Sequence, residues 1–466
     1  MTTHQEGAGD GTAQPVITAF TCPVCGWSGE FDTRFTLWCE SCGHNAEAKS
    51  DKPEKARAAR RRARARARAE KQLGQLVAAQ DLRPTSGPAA AVVAASAFVH
   101  LITAALLAAS VIVIATLHEF WFEPVLGVLG VLMAVVVRPR LWKALRKPHD
   151  LGAAITRDKA PQLFALLESS AAQINAPVPD YVYLDGQFNA STYRIGFKRE
   201  TVLTIGLPLW ESLSEQERVA LLGHELAHQV NGDVTRGILV GCARRSLVEW
   251  LRMLNPRQSG HERWMARRLQ RNSGPAYALA LVLTPLVTIA VFGPPFLLAL
   301  GCYAILNRFD LTNSKRAEYL ADELGARLGS SAAALGLMER IALYESVRYF
   351  ISREKSARFT GDLWPALRQY LDSIPDHEKR RRVRLDELHG TSVDSGHPAN
   401  YLRHRLLAAR PQQAGAIRPG TVDWSAIDAE LTPYSRALAR RLLGQRQGTT
   451  TRTGQSGAAA QSSPSS

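Results

Sequence analysis

The chain has 466 residues, a formal net charge of +15 at pH 7 and 46% hydrophobic residues. This length exceeds what one hydrophobic core usually holds, which excludes a single small domain and predicts several modules. Residues 1–20 are mostly polar or small, with neither a basic start nor a sustained apolar run. We therefore expect this segment to be disordered and not to serve as a signal peptide.

Residues 21–45 contain two Cys-x-x-Cys pairs, each followed by a glycine. Cys22 and Cys25 form the first pair, Cys39 and Cys42 form the second, and thirteen residues separate the pairs. Four thiolates in this arrangement match a closed structural zinc site, and the segment resembles a zinc ribbon. Two disulfides are the alternative, which a reducing cytoplasm disfavours. So small a segment builds little core without metal, and its expected task is binding or scaffolding.

Ten basic residues, mostly clustered with alanine, lie between Lys52 and Lys71. Alanine and arginine favour helix formation, so residues 50–82 are predicted to form a basic helix or linker. Because a predicted membrane segment follows, anionic lipid headgroups are one expected partner, at about 1 kcal/mol per basic residue near the surface. Nucleic acid is the competing partner, and a solvated charge run that only sets membrane topology is the third interpretation.

Residues 89–137 are predicted to form a transmembrane helical hairpin. Its first run, 89–117, is almost wholly apolar and exceeds the roughly 20 residues that span a bilayer, and a second apolar run covers 124–137. Basic residues flank both outer ends and are absent from the connecting loop. The positive-inside rule then places the N-terminus and the downstream domain on the cytoplasmic side of a plasma or inner membrane. A buried helical hairpin in a soluble protein is the alternative.

Two short runs of β-branched and aromatic residues, Tyr181–Leu184 and Thr201–Ile205, are predicted to be strands. An edge strand near residues 188–206 would hold an extended peptide by adding it to the sheet. The alternative is that these strands serve only the fold.

Residues 224–228 read His-Glu-Leu-Ala-His. On a helix, His224 and His228 project from one face, one turn apart, a spacing that suits the binding of one zinc ion through two imidazoles. Glu225 between them can then act on a water molecule at the metal. The alternative is an amphipathic helix that carries two surface histidines.

The surroundings of this motif predict a well-defined helix. Ser214 and Glu217 form a capping box at its start, and Asn231-Gly232 supplies a stop. An apolar stripe at helical spacing lets the helix dock on a core while the histidines face elsewhere, and its members are Val219, Leu222, Leu226 and Val230.

A catalytic zinc ion needs a third protein ligand, because water takes only the fourth position. Glu318 and Asp322 lie on one face of a predicted helix, beside an apolar stripe. Two carboxylates four residues apart repel each other unless a metal or a ligating histidine intervenes. We assign Glu318 as the third ligand and Asp322 as the acceptor that orients a histidine ring. An ordinary charged helix face is the alternative.

A third apolar stretch, 276–306, separates the two predicted ligand helices. Because Glu318 must reach the same ion as the histidines, one complete span would leave it across the membrane. We expect a hairpin of short or tilted helices that turns at Gly293-Pro294-Pro295, either spanning or re-entrant. A soluble apolar hairpin that covers the active site is the alternative.

The motifs at 224–233 and 316–322 resemble those of the HtpX and CAAX-prenyl-protease family of membrane zinc metalloproteases. The resemblance covers roughly residues 150–410, and the zinc metalloprotease domain is predicted at 148–410. It implies a gluzincin-type α+β metalloprotease domain, with a small sheet and a substrate-binding edge strand, inside a mainly α membrane protein that also carries the small N-terminal zinc ribbon.

The resemblance also implies roles for residues outside the metal motif. Asn189-Ala190 resembles the start of a substrate-binding Asn-Ala-Phe-like motif, although Ser191 departs from it. His397, with Arg403 six residues later, resembles a His-Pro…Arg segment, which makes His397 the candidate donor to the tetrahedral oxyanion and Arg403 its support. A His-Pro pair in an ordinary loop is the alternative.

Asp233 completes the Asn-Gly-Asp that follows the second histidine and is assigned beside Asp322 as a residue that supports the ligands. Cys242 and Cys302 stand alone and are expected to serve packing. Residues 411–444 are predicted to form a helical extension, and residues 445–466 a disordered tail.

The expected function is a membrane-bound zinc endopeptidase with Glu225 as general base, one catalytic zinc ion and one structural zinc ion in the ribbon. Its substrates would be membrane or membrane-proximal polypeptides. The alternative is a non-catalytic membrane adaptor that binds partners or nucleic acid through the ribbon and the basic helix.

Overall fold

The computed structural model describes residues 16–47, 56–78, 90–116, 154–195, 200–230, 233–254, 275–389 and 398–445, with five positions between 125 and 131. These residues are mostly helical and include two small sheets. Most of the second apolar run, 124–137, and almost all of the predicted tail lie outside the described residues.

The N-terminal module is a two-stranded antiparallel hairpin. Strand β1 (Ile17–Thr21) pairs with β2 (Ser28–Asp32). The prediction of disorder over residues 1–20 is therefore wrong from Ile17 onward. Phe20 packs its ring edge-on against the buried ring of Phe31, at a centroid distance of 5.6 Å, and this contact stabilises β1.

Two helices follow, α1 (Ala56–Ala78) and α2 (Ala90–Thr116). Among the described residues, one segment, Ser96–Thr116, is long and apolar enough to cross a membrane. Gly127 and Gly130 of the second apolar run lie so close to α2 that a Cβ on either would overlap its side chains. The two apolar runs are therefore in contact.

A three-stranded sheet comes next. Helix α3 (Pro161–Ile174) precedes β3 (Tyr181–Asp185), β4 (Ala190–Ile195) and β5 (Glu200–Gly206). The strand order is β3-β5-β4, with β5 parallel to β3 and antiparallel to β4. The central strand β5 is buried along almost its whole length. β4 lies at the edge of this sheet, inside the predicted range 188–206.

A short helix α4 (Leu207–Trp210) leads into α5 (Glu215–Val230). α5 begins at the predicted capping box, where the Ser214 N–H donates to Glu217 Oε2 at 2.7 Å. It ends directly before the predicted stop, whose two residues lie outside the described part of the chain. The predicted apolar stripe packs into the main core, with Val219, Leu222 and Leu226 fully buried and Val230 partly buried.

The helices α6 (Asp233–Leu254) and α7 (Pro275–Gly329) show that the hairpin predicted for 276–306 is wrong. α7 is helical through Gly293-Pro294-Pro295 and continues to the predicted third ligand. The chain moves away from the motif along α6 and returns along α7, which packs against it. No turn inside the apolar stretch is then needed, and packing against α2 and α6 offsets the backbone hydrogen bonds that the two prolines remove.

α5 and α7 cross closely at glycines. A Cβ on Gly223 would lie 2.9 Å from the Gly325 Cα, and a Cβ on Gly325 would lie 2.7 Å from the Ala220 carbonyl oxygen. A Cβ on Gly329 would lie 2.7 Å from the Ala220 nitrogen. Only residues without a Cβ allow two backbones to come this close. The crossing brings the histidine face of α5 against the carboxylate face of α7.

Further helices complete the described chain: α8 (Ser331–Ile341), α9 (Tyr344–Ser356), α10 (Leu363–Asp372), α11 (Asp376–His389), α12 (Asn400–Ala409) and α13 (Trp424–Leu442). Helix α13 occupies the predicted extension 411–444. Its residues Trp424, Ile427 and Leu431 are buried in the same core as α5, so the predicted boundary at residue 410 does not separate two cores.

A smaller core joins α2, α6 and α7, and includes Val99, Leu247 and Leu306. Several large apolar side chains of α2 and α7 point away from it and are exposed: Phe98, Leu101, Leu107, Val111, Ile112, Leu297, Leu298, Leu300 and Ile305. Apolar surface of this extent marks a contact with lipid or with another protein.

Candidate active site and metal centres

Three predicted ligands converge where α5 meets α7. His224 and His228 lie one turn apart on α5, and Glu318 approaches them from α7. The two Nε2 atoms are 3.3 Å apart, and the Glu318 carboxylate lies 3.5 Å from each of them, through Oε2 towards His224 and through Oε1 towards His228. His224 and Glu318 are almost fully buried.

These donors fit a zinc ion. Ligand atoms at about 2.1 Å from a tetrahedral ion lie about 3.4 Å from one another, which is close to the N···N separation and to each of the two N···O separations. Two imidazoles and one carboxylate leave a fourth position for water, as catalytic zinc sites require. A buried carboxylate also needs nearby positive charge, which a divalent cation supplies.

Asp322 and Arg403 hold the ring of His224. The His224 Nδ1 lies 3.0 Å from Asp322 Oδ1, so its Nε2 faces the other ligands. Arg403 on α12 donates its Nε and Nη2 to the Asp322 carboxylate at 2.8 and 2.5 Å. Burial alone would raise the pKa of Asp322, but the Arg403 guanidinium and His224 hold that pKa below its ordinary value. Asp322 therefore stays ionised and orients His224.

Glu225 faces the edge strand. Its carboxylate is buried, and Thr192 on β4 donates its hydroxyl to Glu225 Oε2 at 3.3 Å. Sequence reasoning missed Thr192. The available signal was its place two residues after Ala190 on the predicted edge strand, which puts both side chains on one face of the sheet.

Asn189 and Ala190 lie at the start of β4, where the Asn189 carbonyl accepts the Gly206 N–H at 2.8 Å. Asp233 is the first residue of α6, and its side chain lies outside the described part of the structure. His397 also lies outside the described residues. Arg403 reaches the site but contacts Asp322 and His224.

The four ribbon cysteines converge in the N-terminal hairpin. Their sulfur atoms all lie within 4.8 Å of one another, and the four residues carry free thiols. Cys22 Sγ accepts the Val24 N–H, and Cys39 Sγ accepts the Cys42 N–H. Backbone donors of this kind stabilise thiolates, so the cluster could hold a metal ion.

The ribbon packs on α11, a contact that the sequence did not predict. The Trp38 indole donates to the His377 carbonyl at 3.2 Å, and Arg381 donates to the Ala46 carbonyl at 2.9 Å. The Phe31 ring meets the His377 ring edge-on at 4.8 Å. The ribbon thus packs on the surface of the larger domain, and the face of the ribbon that carries Phe31 and Trp38 is covered by α11.

Helix α1 also packs on the larger domain. Leu73 and Leu76 are buried in the main core. Arg405 donates to both carboxylate oxygens of Glu70 at 2.8 Å. The second half of the predicted basic helix therefore docks on α12, the helix that carries Arg403.

Comparison with known proteins agrees with this site. Residues 157–388 match the model of Peptidase family M48. Protease HtpX of Xanthomonas oryzae pv. oryzae is 25% identical over 250 residues, covering 52% of this chain and 78% of that protein. Protease HtpX of Pseudomonas putida strain W619 is 24% identical over 262 residues, covering 56% and 82%.

Protease HtpX of Xylella fastidiosa strain M12 is 25% identical over 263 residues, covering 55% of this chain and 83% of that protein. No solved structure matches the chain. The matched segment contains both helices that supply the three convergent donors. The chain therefore belongs to peptidase family M48 as an HtpX-like metalloprotease.

Proposed function

We propose that this metalloprotease is a zinc endopeptidase that cuts membrane or membrane-proximal polypeptides, with Glu225 as its general base. One observation carries the proposal. Glu225 lies between two histidines that share a three-donor cluster with Glu318, and it faces the edge strand of a sheet. Metal, base and peptide-binding edge thus meet at one place.

The residues divide the reaction among them. Zinc, when held by His224, His228 and Glu318, supplies a Lewis acid that lowers the pKa of water towards about 7. Glu225 accepts the proton of the attacking water and later donates it to the leaving amine. We keep His397 as the proposed donor to the oxyanion.

Strand β4 offers the substrate a backbone template. In antiparallel pairs, successive residues alternate between bonding the partner strand and pointing away from it. Because Gly206 donates to Asn189, that alternation turns the N–H and C=O groups of Ala190, Thr192 and Arg194 to the open edge. A substrate in extended conformation would pair with these three residues.

We further propose that the protein is integral to the membrane, through α2 and the apolar part of α7, with the protease domain on the cytoplasmic side. The exposed apolar side chains of both helices support a lipid-facing role. α7 runs from the apolar segment Gly293–Asn307 to Glu318 without a break. Eleven residues at 1.5 Å each put the metal site about 16 Å from the end of that segment, which suits substrates close to the membrane.

The solvent-facing side of α1 supports a contact with anionic lipid. Arg60, Arg64, Arg68 and Lys71 are exposed and recur at helical spacing, while the opposite face docks on the protease domain. Such a row attracts lipid headgroups near a membrane anchor. Nucleic acid is the competing anionic partner. Limited proteolysis distinguishes the two partners: protection of α1 by anionic vesicles indicates lipid binding, and protection by RNA indicates nucleic-acid binding.

A comparison of membrane proteomes tests the substrate class. Cells that express the wild-type chain or Glu225→Gln at equal levels would be compared for membrane-protein abundance and new protein termini. We expect membrane proteins to accumulate in the Glu225→Gln cells, and we expect the new termini that cleavage creates in their cytoplasmic segments to be absent from these cells. If new termini arose only in soluble proteins, the membrane assignment of the substrates would be wrong, although the peptidase assignment would stand.

A further inference from the structure

We propose that Thr192 is a positioning residue that couples substrate pairing to the general base. Its side chain holds Glu225, and its backbone belongs to the edge that pairs with substrate. This inference rests on the proposed endopeptidase function and adds a residue that the metal motif does not contain.

The side-chain contact is specific. The half-buried Thr192 donates its hydroxyl to Oε2 of Glu225 at 3.3 Å, and Glu225 as a residue is only 5% exposed. A carboxylate on a flexible side chain has several orientations, and a hydrogen bond to one oxygen selects among them. With Oε2 engaged, Oε1 is the oxygen that remains for the proton of the attacking water.

The backbone of Thr192 is available to pair with the substrate. The alternation set by Gly206 and Asn189 turns the Thr192 N–H and C=O to the open edge of β4. A peptide that pairs there fixes the position of Thr192, and Thr192 fixes the carboxylate. Substrate binding therefore aligns Glu225 through a single residue, Thr192, which contacts both the substrate and the general base.

Neighbouring hydroxyls on β4 do not share this role. Side chains alternate along a strand, so Ser191 and Tyr193 project to the other face of the sheet. There the Thr204 hydroxyl lies 3.5 Å from the Tyr193 oxygen. Ser191 therefore provides a matched control, a hydroxyl on the same strand with the opposite direction.

The experiment compares three variants of the full chain in detergent with a fluorogenic peptide. Thr192→Val keeps the branched shape and removes the hydroxyl, Thr192→Ser keeps the hydroxyl, and Ser191→Ala is the control. We expect Thr192→Val to lower kcat about tenfold, because Glu225 loses a hydrogen bond to its charged carboxylate. KM should change less than about twofold, because the backbone that pairs with the substrate is unchanged. Thr192→Ser and Ser191→Ala should stay within about twofold of wild type in kcat.

Zinc content and melting temperature of each variant show whether it is folded, and Glu225→Gln defines the inactive background. If wild type and Glu225→Gln were equally inactive, the proposed function would fail before Thr192 was tested. If wild type is active and Thr192→Val matches it in kcat, the positioning role is wrong. Loss of activity in Thr192→Ser equal to that in Thr192→Val would also overturn it, because shape rather than the hydroxyl would then matter.

Discussion

Arg403 grips Asp322 through both Nε and Nη2, and Asp322 in turn lies 3.0 Å from the Nδ1 atom of His224. The Arg403–Asp322 ion pair, which is almost fully buried, thereby links α12 to the metal site. Such a pair is costly to break, because removing one partner leaves the other charge buried and uncompensated.

Replacing Asp322 with Asn should weaken zinc binding by about 10–100-fold, because His224 loses the carboxylate that orients its ring. Competition with a fluorescent chelator measures this affinity. Glu323→Gln is the matched control: it removes one charge from the next position of α7, where the carboxylate lies 3.7 Å from Arg410. Equal zinc affinity in Asp322→Asn and wild type would show that the ring needs no such support.

Gly325→Ala should disrupt the helix crossing. The added Cβ would lie 2.7 Å from the Ala220 carbonyl oxygen, so α5 and α7 must separate. We expect overpacking to lower the free energy of unfolding by about 1–3 kcal/mol and to weaken zinc binding as well. Gly301→Ala on the same helix has no atom within 4 Å of the added Cβ and should leave zinc affinity unchanged. If both variants bound zinc like wild type, the close crossing would not control the site.

The ribbon should hold its own zinc ion and brace α11. In Cys22→Ser/Cys39→Ser, we expect the zinc content to fall from two ions per chain to one, and amide hydrogen exchange in residues 376–389 to become faster. Elemental analysis and exchange mass spectrometry measure these two quantities. Cys302→Ser, a lone cysteine on α7, should change neither. Two zinc ions in the double variant would exclude the ribbon as a metal site.

His377 should make the ribbon contact sensitive to acid. Burial against Phe31 lowers the pKa of His377 below its ordinary value, although the carboxylates of Glu378 and Asp32 partly oppose this shift. The unfolded chain then binds more protons at His377 than the folded chain, so this contribution to stability is complete above about pH 6.5 and is lost as the pH falls.

Unfolding by denaturant at pH 7 and at pH 5.5 measures the effect. We expect the wild type to lose more stability over this interval than His377→Phe, which keeps a ring against Phe31 but cannot be protonated. Any release of ribbon zinc affects both proteins, so the difference between them isolates His377. An equal loss in the two proteins would contradict the assignment.

Local patterns were sufficient to predict the metal helix. The capping box at Ser214, the buried stripe with Leu222 and the histidine spacing depend on residues within a few turns, and the helix forms as predicted. Glu318 required an expectation from chemistry and from the family resemblance, and the structure brings it to the histidines.

Features that depend on distant packing were missed. The prolines at 294 and 295 predicted a turn, but packing against α2 and α6 keeps α7 helical. Because α6 carries charged side chains, the sequence did not indicate that this helix pairs with the apolar part of α7. Likewise, the contact of Trp38 with His377 joins residues more than 300 positions apart, and local sequence carries no signal for it. For Thr192, the position two residues after Ala190 gave the face of the strand, but its contact with Glu225 depends on how α5 packs against β4.

The central claim is that Glu225 activates water beside a bound zinc ion. The most direct test purifies the full chain in detergent, as wild type and as Glu225→Gln, and measures zinc per chain together with cleavage of an unfolded fluorescent polypeptide. We expect both proteins to hold two zinc ions and only the wild type to cleave, with activity lost on chelation and restored by zinc. Undiminished cleavage by zinc-loaded Glu225→Gln would contradict the claim.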